Sequence, residues 1–385
     1  MIKFKLIYIF MLIVSFIYAK LSGGNFPYYI FYILFLIGIV EVIYFYICTK
    51  HVYCNFRMLK RSFIVGDNEE IELIVKNDSF IPLPYVKVNS SFFEHMCNDY
   101  KGNGFYLKQD SSYFVRKQIR FTRRGVYGLE KTDITINDIF NISTIRIKDE
   151  HNESIMVYPK IYELDEIDKS YSNMLEEVIV KKKFLNNNSD VRDVREYING
   201  DSIKKIHWKI SAKENKLYVK NYEKLSGGDT NIFLNMESLE KIKNYTEKEE
   251  ELMIDFTLSF LNQILKREIK SNIYINNDYE KVFKIRNHED FQILEEYFLR
   301  NYSNSNESFS EFILKKIKNL NNLSDVVIIT LTLIKEDINN IIYLKNIGYN
   351  LKIFYYDKNI YESQILSELK DMNIEIYEFN KIIKF

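Results

Sequence analysis

Two side chains four residues apart, His207 and Ser211, are the best candidates for catalytic chemistry in this sequence. They would share one face of a helix that begins at Asp201 or the next residue. A serine hydrolase needs a hydroxyl, a histidine base and an acid that orients the base, and either Asp193 or Asp201 is available as the acid. The surrounding sequence has neither a nucleophile elbow nor a glycine-rich oxyanion loop. We therefore expect a protein that is not an enzyme, with a hydrolase that uses the His207/Ser211 face as the alternative.

The same segment, residues 190–223, has two non-catalytic interpretations. In the structural one, its arginines pair with its acids, and Trp208, the only tryptophan, fills a gap between the helix and a β domain. The charged residues concerned are Arg192, Asp193, Arg195, Glu196 and Asp201. In the other interpretation, the arginine, lysine and tryptophan side chains form a docking surface, because such residues are enriched among interface anchors. The two interpretations are compatible, and both stay open.

The spacing of unlike residue types in this segment resembles a known signature. The domain of unknown function 58 family carries the pattern R-x-Y-x-x-G-D-x-x-x-x-I-x-W-K-x-S-A, followed by a short L-x-V strand. The matching positions are Arg195, Tyr197, Gly200, Asp201, Ile206, Trp208, Lys209, Ser211, Ala212, Leu217 and Val219. Our candidate interaction and signature residues are Arg192, Arg195, Tyr197, Gly200, Asp201, His207, Trp208, Lys209 and Ser211. The resemblance implies partnership with a MoxR-type AAA+ ATPase and, in some systems, with a transglutaminase-like membrane protein.

Charge and cysteine content argue against two classes of function. The 385 residues include 53 basic and 53 acidic side chains, so the formal net charge is zero, and the chain offers no net basic attraction to nucleic acid. The three cysteines, Cys48, Cys54 and Cys97, are odd in number and show no C-x-x-C spacing. Their pattern predicts neither a disulfide framework nor a zinc site and is typical of a reducing compartment. We expect no cofactor.

The first fifty residues have the character of membrane sequence. An apolar run at 6–19 and a second at 28–48 flank a short polar turn, and about 20 apolar residues are needed for a helix to cross the hydrocarbon core. The pattern predicts a two-helix transmembrane hairpin in the cell membrane. Basic residues precede the first run and follow the second, while the turn has Lys20 alone, so the positive-inside rule places the soluble domains in the cytoplasm. The alternative, a cleaved signal peptide, is disfavoured by the bulky Ile17 two residues before Ala19.

From residue 63 to residue 159 the pattern changes to short alternating segments. The runs 70–76 and 85–89 largely alternate polar and apolar residues, and turn residues separate them. Several short strands with frequent turns predict a β-sandwich. The region also resembles the family's amino-terminal β region at Gly66-Asp67, Asn77, Arg124-Gly125-Val126-Tyr127 and Asp138-Ile139-Phe140.

After Asp229 strands and helices alternate, which predicts βαβ units around a parallel sheet. The clearest strand is 325–331, followed by a helix at 335–346 that ends at Gly348, the expected cap residue. Together with the signature, this looks like the family's von Willebrand factor A-like arrangement. We therefore predict a membrane-anchored multidomain protein with four parts: a transmembrane hairpin (1–50), a β-sandwich domain (51–160), a linker and signature segment (161–228) and a von Willebrand factor A-like α/β domain (229–385).

The von Willebrand resemblance raises the question of a metal. Such domains often bind Mg²⁺ through an Asp-x-Ser-x-Ser motif after the first strand, because this hard cation takes oxygen ligands. Here the corresponding positions are Asn235, Glu237 and Leu239, and no aspartate follows Thr330. We expect no metal site there, which argues against a third hypothesis, a metal-dependent adhesion module. The sequence as a whole predicts a scaffold or adaptor that acts with a MoxR-type ATPase in envelope-related assembly or maturation.

Overall fold

The computed structural model describes most of the chain and divides it into two compact units. The described residues are 2–129, 131–140, 142–163, 191–198, 206–214, 216–222, 229–240, 245–277, 280–318, 320, 325–356, 369, 372 and 374–382. The two units are Met1–Tyr158 and Pro159–Phe385.

Two apolar helices open the first unit. α1 spans Leu6–Ser22 and α2 spans Asn25–His51, and Gly23 turns the chain between them at a φ of 63°, a value that favours glycine. The helices pack on each other, and the hydroxyl of Tyr8 donates a hydrogen bond to the backbone oxygen of Leu34 at 2.7 Å. By length and composition α2 can cross a membrane, whereas α1 is a shorter apolar helix.

Both ends of this helix pair continue into strands of one β domain. β1, Ile2–Phe4, precedes α1 and pairs antiparallel with β10, Ser143–Glu150. β2, Val52–Arg57, follows α2 without a break and pairs antiparallel with β4, Asn68–Asn77. The chain therefore leaves the β domain through α1 and re-enters it through α2.

The last turns of α2 belong to the core of the β domain. Phe45 and Cys48 are fully buried there. The carboxylate of Glu41, which is also buried, accepts a hydrogen bond from the hydroxyl of Ser143 on β10. Only the part of α2 before Glu41 is thus clear of the strands.

The β domain consists of three sheets, which confirms the prediction of a region built from short strands. Its other elements are β3 (Ser62–Ile64), β5 (Leu83–Ser90), α3 (Ser91–Met96), β6 (Asn103–Leu107), β7 (Ser111–Arg120), β8 (Gly125–Gly128), β9 (Lys131–Asn137) and β11 (Ser154–Tyr158). The sheet orders are β1-β10-β9-β5-β6, β2-β4-β7 and β3-β11-β8. Alternation turns every second residue of β4 inward, so that Ile71, Leu73 and Val75 are fully buried.

The second unit is built around a six-stranded sheet. Its elements are β12 (Val191–Glu196), α4 (Trp208–Glu214), β13 (Tyr218–Tyr222), β14 (Thr230–Asn235), α5 (Glu247–Lys266), β15 (Ser271–Asn276), β16 (Lys281–Ile285), α6 (His288–Arg300), α7 (Phe309–Ile317), β17 (Asp325–Thr330), α8 (Lys335–Ile347), β18 (Asn350–Tyr355), β19 (Glu375–Glu378) and α9 (Phe379–Ile382). The sheet order is β16-β15-β14-β17-β18-β19, and every pair is parallel except β15 with β16. β12 and β13 form a separate antiparallel pair.

Apolar side chains cover both faces of the central sheet. All six residues of β14 are buried, as expected for a strand between two layers of helices. One core packs α5 and α6 against one face, and a second packs α7 and α8 against the other. The predicted parallel sheet is present, and α5 begins at Glu247, where Thr246 and Glu249 form a capping box.

Candidate functional site

The signature segment folds as a strand pair with one short helix, and the helix begins later than predicted. Ile206 forms an isolated antiparallel bridge with Val219, and the backbone N–H of His207 donates to the oxygen of Tyr218 at 2.8 Å. Pairing with β13 thus holds Ile206 and His207 in extended backbone, and α4 starts only at Trp208. A helix that begins at Asp201 or the next residue would include Ile206 and His207, so the predicted helix start is wrong.

The side chains of Ser211 and His207 are engaged with backbone groups. The hydroxyl of Ser211, which is buried, accepts from the N–H of Tyr218 at 2.9 Å. The Nδ1 atom of His207 faces the N–H of Ile210 at 3.4 Å, in the first turn of α4. Within the described residues no hydrogen bond joins His207 to the Ser211 hydroxyl.

Trp208 is exposed rather than packed. Its relative exposure is 64%, and Lys209 and Arg195 are exposed as well. Within its own unit, Trp208 is therefore not packed into the core. The nearby acid Glu196 forms a salt bridge with Lys216 at 2.8 Å.

Some signature positions lie outside the described residues, and others are described by their backbone alone. Gly200 and Asp201 lie outside the described residues, as does the segment 164–190. Arg192 and Asp193 are placed on β12 by their backbone. Tyr197 is half-buried, and its N–H donates to the oxygen of Leu217 at 2.8 Å.

The degenerate metal motif lies at the carboxyl end of the central sheet, where its polar atoms bond to one another. The Oδ1 atom of Asn235 accepts from the N–H of Glu237 at 3.0 Å, which fixes the orientation of the amide. Its Nδ2 atom then donates to the hydroxyl of Thr330 at 3.1 Å. Leu239 packs against the apolar core. The amide of Asn235 and the side chain of Leu239 thus stand at positions where a Mg²⁺ site would need oxygen ligands.

A loop of the same unit covers this edge of the sheet. Ser305, which is buried, donates its N–H to the oxygen of Met236 at 3.1 Å and accepts from the N–H of Ser238 at 3.0 Å. Its hydroxyl donates to Oδ1 of Asn276 at 2.9 Å. In doubly wound sheets ligands bind in the crevice outside the carboxyl ends of the strands. Here the ends of β14 and β15 are instead hydrogen-bonded to the loop between α6 and α7.

One buried acid near this edge has a strongly altered proton affinity. Burial raises the pKa of Asp337 to about 7, and the charges of Glu237 and Glu336 act in the same direction against the hydrogen bond from the N–H of Ile334. The Oδ1 atom of Asp337 has no hydrogen-bond partner within the described residues. The group is therefore poised to change charge near neutral pH.

A second polar cluster lies in the β domain, and sequence reasoning missed it. Cys54 on β2, Asp149 on β10 and His151 directly after β10 bring a thiol, a carboxylate and an imidazole within 4.8 Å of one another. Cys54 and Asp149 are 95 positions apart in sequence, so no local spacing rule detects the cluster. The only sequence signal is an acid and a histidine at the end of one strand.

The fold and these sites define a class of protein: apolar helices joined to a β domain, followed by a doubly wound α/β unit with a loop bonded to the carboxyl ends of two strands. Residues 193–288 match the family described as Protein of unknown function DUF58. This match supports the family resemblance carried by the signature segment. No curated protein matches the chain.

Solved structures that resemble parts of the chain do so weakly. The CARDB domain of a Pyrococcus furiosus protein is 16% identical, with a TM-score of 0.18, and the alignment covers 28% of this chain and 94% of that one. Proximal thread matrix protein 1 from the mussel byssus is 9% identical, with a TM-score of 0.28 and coverage of 40% and 45%. A β-glucosidase from Listeria innocua is 9% identical, with a TM-score of 0.15 and coverage of 28% and 16%. The chain thus spans less than half the length of the last two proteins.

Proposed function

We propose that this protein is a membrane-anchored, non-enzymatic scaffold or adaptor that acts with a MoxR-type AAA+ ATPase in envelope-related assembly or maturation. The observation that carries the anchoring is the continuation of both apolar helices into one β domain, through β1 at one end and β2 at the other. A chain that leaves and re-enters the same domain through two apolar helices fits a hairpin that crosses the bilayer twice.

The surface of the helix pair supports this hairpin. Large apolar side chains are exposed along all of α1 and along α2 as far as Tyr46, and a continuous apolar surface of this extent marks a membrane or protein contact. The part of α2 before Glu41 has about the same length as α1, roughly 25 Å at 1.5 Å per residue. Both helices thus fit a thin bilayer, with Gly23 at the far turn.

The charges at the ends of the helices support a cytoplasmic β domain. Lys3 and Lys5 lie at the start of α1, Lys50 lies in the last turn of α2, and Arg57 ends β2. At the opposite turn the basic residue is Lys20. An excess of basic residues on one side of a membrane span favours the cytoplasm for that side.

The strand order supports a von Willebrand factor A-like domain in the second unit. Numbered from β14 along the chain, the order is 3-2-1-4-5-6, with the third strand antiparallel. The loop around Ser305 is bonded to the carboxyl ends of β14 and β15, and the side chains of Asn235 and Leu239 are poor ligands for a hard cation. A scaffold role therefore fits this unit better than catalysis or metal-dependent adhesion.

The proposed docking residue for the ATPase is Trp208, because an exposed tryptophan in an otherwise bonded segment is a typical interface anchor. The test is co-purification of the full-length protein, in detergent, with the co-expressed MoxR-type ATPase of the same organism. We expect Trp208→Ala to weaken binding by about 30-fold or more, as for a hot-spot residue. The melting temperature should not change.

The matched control is Tyr343→Ala, which removes another aromatic side chain that is 56% exposed in the same unit. Equal loss of binding in both variants, or no complex with the wild-type protein, would contradict the proposal. A folded, ATPase-binding Ser211→Ala protein that has lost its cellular function would instead favour the hydrolase.

A further inference from the structure

Three metal-ligand atoms of the β domain converge on one point. The Sγ atom of Cys54 lies 3.3 Å from Oδ2 of Asp149 and 3.5 Å from Nε2 of His151. The remaining separation, between Oδ2 of Asp149 and Nε2 of His151, is 4.0 Å. From this geometry we propose that Cys54, Asp149 and His151 form a binding site for Zn²⁺.

The separations fit the size of a zinc coordination sphere. Zinc binds sulfur at about 2.3 Å and nitrogen or carboxylate oxygen at about 2.0–2.2 Å, so tetrahedral ligand atoms stand roughly 3.3–3.6 Å apart. Two of the three separations lie in this range, and the third closes with a small rotation of the His151 ring. The soft thiolate with imidazole and carboxylate selects zinc over Mg²⁺ or Ca²⁺, which take oxygen ligands.

The arrangement differs from that of a cysteine nucleophile with its base. In a catalytic triad, the acid bonds to one ring nitrogen of the histidine and the nucleophile to the other. Here the thiol and the carboxylate both approach the same nitrogen, Nε2 of His151, and also approach each other. Convergence on one point is what a shared cation requires.

Neighbouring groups hold the ligands in place. The N–H of Cys54 donates to Oδ2 of Asp149 at 2.8 Å, which fixes the carboxylate. The ring of Phe56 meets the ring of His151 edge to face, with centroids 5.6 Å apart. Thr132 is the cross-strand partner of Asp149, so its side chain leaves the same face of the sheet. Its buried hydroxyl faces the thiol of Cys54.

The site also has a route to solvent. His151 lines a cleft of about 440 Å³ together with Lys131, Glu150 and Glu153, and its side chain is 13% exposed, whereas Cys54 is 1% exposed. Metal can therefore enter from the cleft, and a water molecule can take the fourth coordination position from the same side.

A zinc ion at this place would connect two sheets of the β domain. Cys54 lies on β2, in the sheet β2-β4-β7, and Asp149 lies on β10, in the five-stranded sheet. β2 continues directly from α2, and β10 pairs with β1, the strand before α1. The metal would thus bridge the two sheets from which the apolar helices emerge.

The test uses the full-length protein in detergent, purified without a polyhistidine tag, with Zn²⁺ and Co²⁺ as probes. We expect one zinc ion per chain by elemental analysis, a higher melting temperature when Zn²⁺ is added to chelator-treated protein, and the charge-transfer absorption of a cobalt–thiolate bond with Co²⁺. A ligand that binds the folded state but not the unfolded state raises the free energy of unfolding and therefore the melting temperature.

Matched variants separate the site from other cysteines and histidines. Cys54→Ser should abolish the cobalt–thiolate band and His151→Ala the zinc-dependent rise in melting temperature, whereas Cys97→Ser and His95→Gln, elsewhere in the same domain, should change neither. Because His151 lies at the rim of the cleft, His151→Ala is expected to fold even if Cys54→Ser does not. A wild-type protein that neither contains zinc nor gains stability from it, or a cobalt–thiolate band that survives in Cys54→Ser or disappears in Cys97→Ser, would overturn the proposal.

Discussion

The hydroxyl of Ser211 accepts a hydrogen bond from the backbone N–H of Tyr218 at 2.9 Å and thereby joins α4 to β13. This bond uses the side chain that would be the nucleophile of a hydrolase. Trp208 on the same helix, for which the sequence left both packing and docking open, is exposed. Of these two side chains, Ser211 therefore supports the fold of the segment, and Trp208 is the one open to contact.

The first prediction concerns the order of their effects on stability. Ser211→Ala should lower the free energy of unfolding by about 1–3 kcal/mol, because it leaves the N–H of Tyr218 without its partner. Trp208→Ala should change it by no more than about 0.5 kcal/mol, since the side chain is exposed. Thermal unfolding of the full-length protein in detergent measures both, with the exposed Lys213→Ala as the control on α4. The reverse order would mean that Trp208 is buried in the folded protein.

The second prediction concerns magnesium at the carboxyl end of the central sheet. Calorimetric titration of the full-length protein with Mg²⁺ should show no saturable binding, because the amide of Asn235 is committed to Glu237 and Thr330 and Leu239 packs in the core. Asn235→Ala should leave the titration unchanged. Micromolar Mg²⁺ binding that disappears in Asn235→Ala would show that the motif is a working site.

The third prediction is a pH dependence that comes from Asp337. The pKa of this buried acid is raised from its ordinary value of 3.8 to about 7, so the folded state holds a proton that the unfolded state has lost between these values. The contribution of Asp337 to stability is therefore greatest at low pH and falls as the pH rises toward 7.

Asp337→Asn replaces the carboxyl group with an amide that does not titrate, and the amide oxygen can still accept from the N–H of Ile334. The variant should gain melting temperature relative to the wild type as the pH is raised from about 5 to about 8, and the gain should level off above the raised pKa. The exposed Glu336→Gln is the control, with a smaller gain expected. A constant difference between Asp337→Asn and the wild type across this range would show that Asp337 stays ionised in the folded protein.

The fourth prediction concerns membrane topology. A reporter that is active only in the cytoplasm should be active when fused after Phe385, and a reporter that requires export should be inactive there, because two spans return the chain to the side of β1. The same reporters inserted between Gly23 and Gly24 should give the opposite result. Export-dependent activity at Phe385 would rule out a cytoplasmic β domain.

Local sequence patterns were sufficient to predict most of the regular elements. The apolar run at 325–331 became β17, and the helix predicted at 335–346 became α8, with Gly348 as its cap at a φ of 108°. Alternation of apolar residues around Ile71 to Val75 gave β4. These features depend on residues near in sequence, whose side-chain periodicity and backbone preferences act within a few positions.

Where partners distant in sequence compete with local preference, the sequence was a poorer guide. Ile206 lies in the segment that was predicted to be helical, yet it pairs with Val219 on β13. The strand β1 was not predicted, because its partner β10 lies some 140 positions away in sequence. A strand that consists of three residues is stabilised by its neighbour rather than by its own composition.

The sequence by itself determined the class of the protein: apolar helices, a β-rich region, an alternating α/β region and a signature that links the chain to a family. Tertiary structure alone decided which side chains meet. It placed Cys54 beside Asp149 and His151, directed Ser211 to the backbone of Tyr218 and left Trp208 in solvent. The physical reason is that periodicity shows which face of an element is apolar, whereas the register and packing of distant strands set the distances between polar atoms.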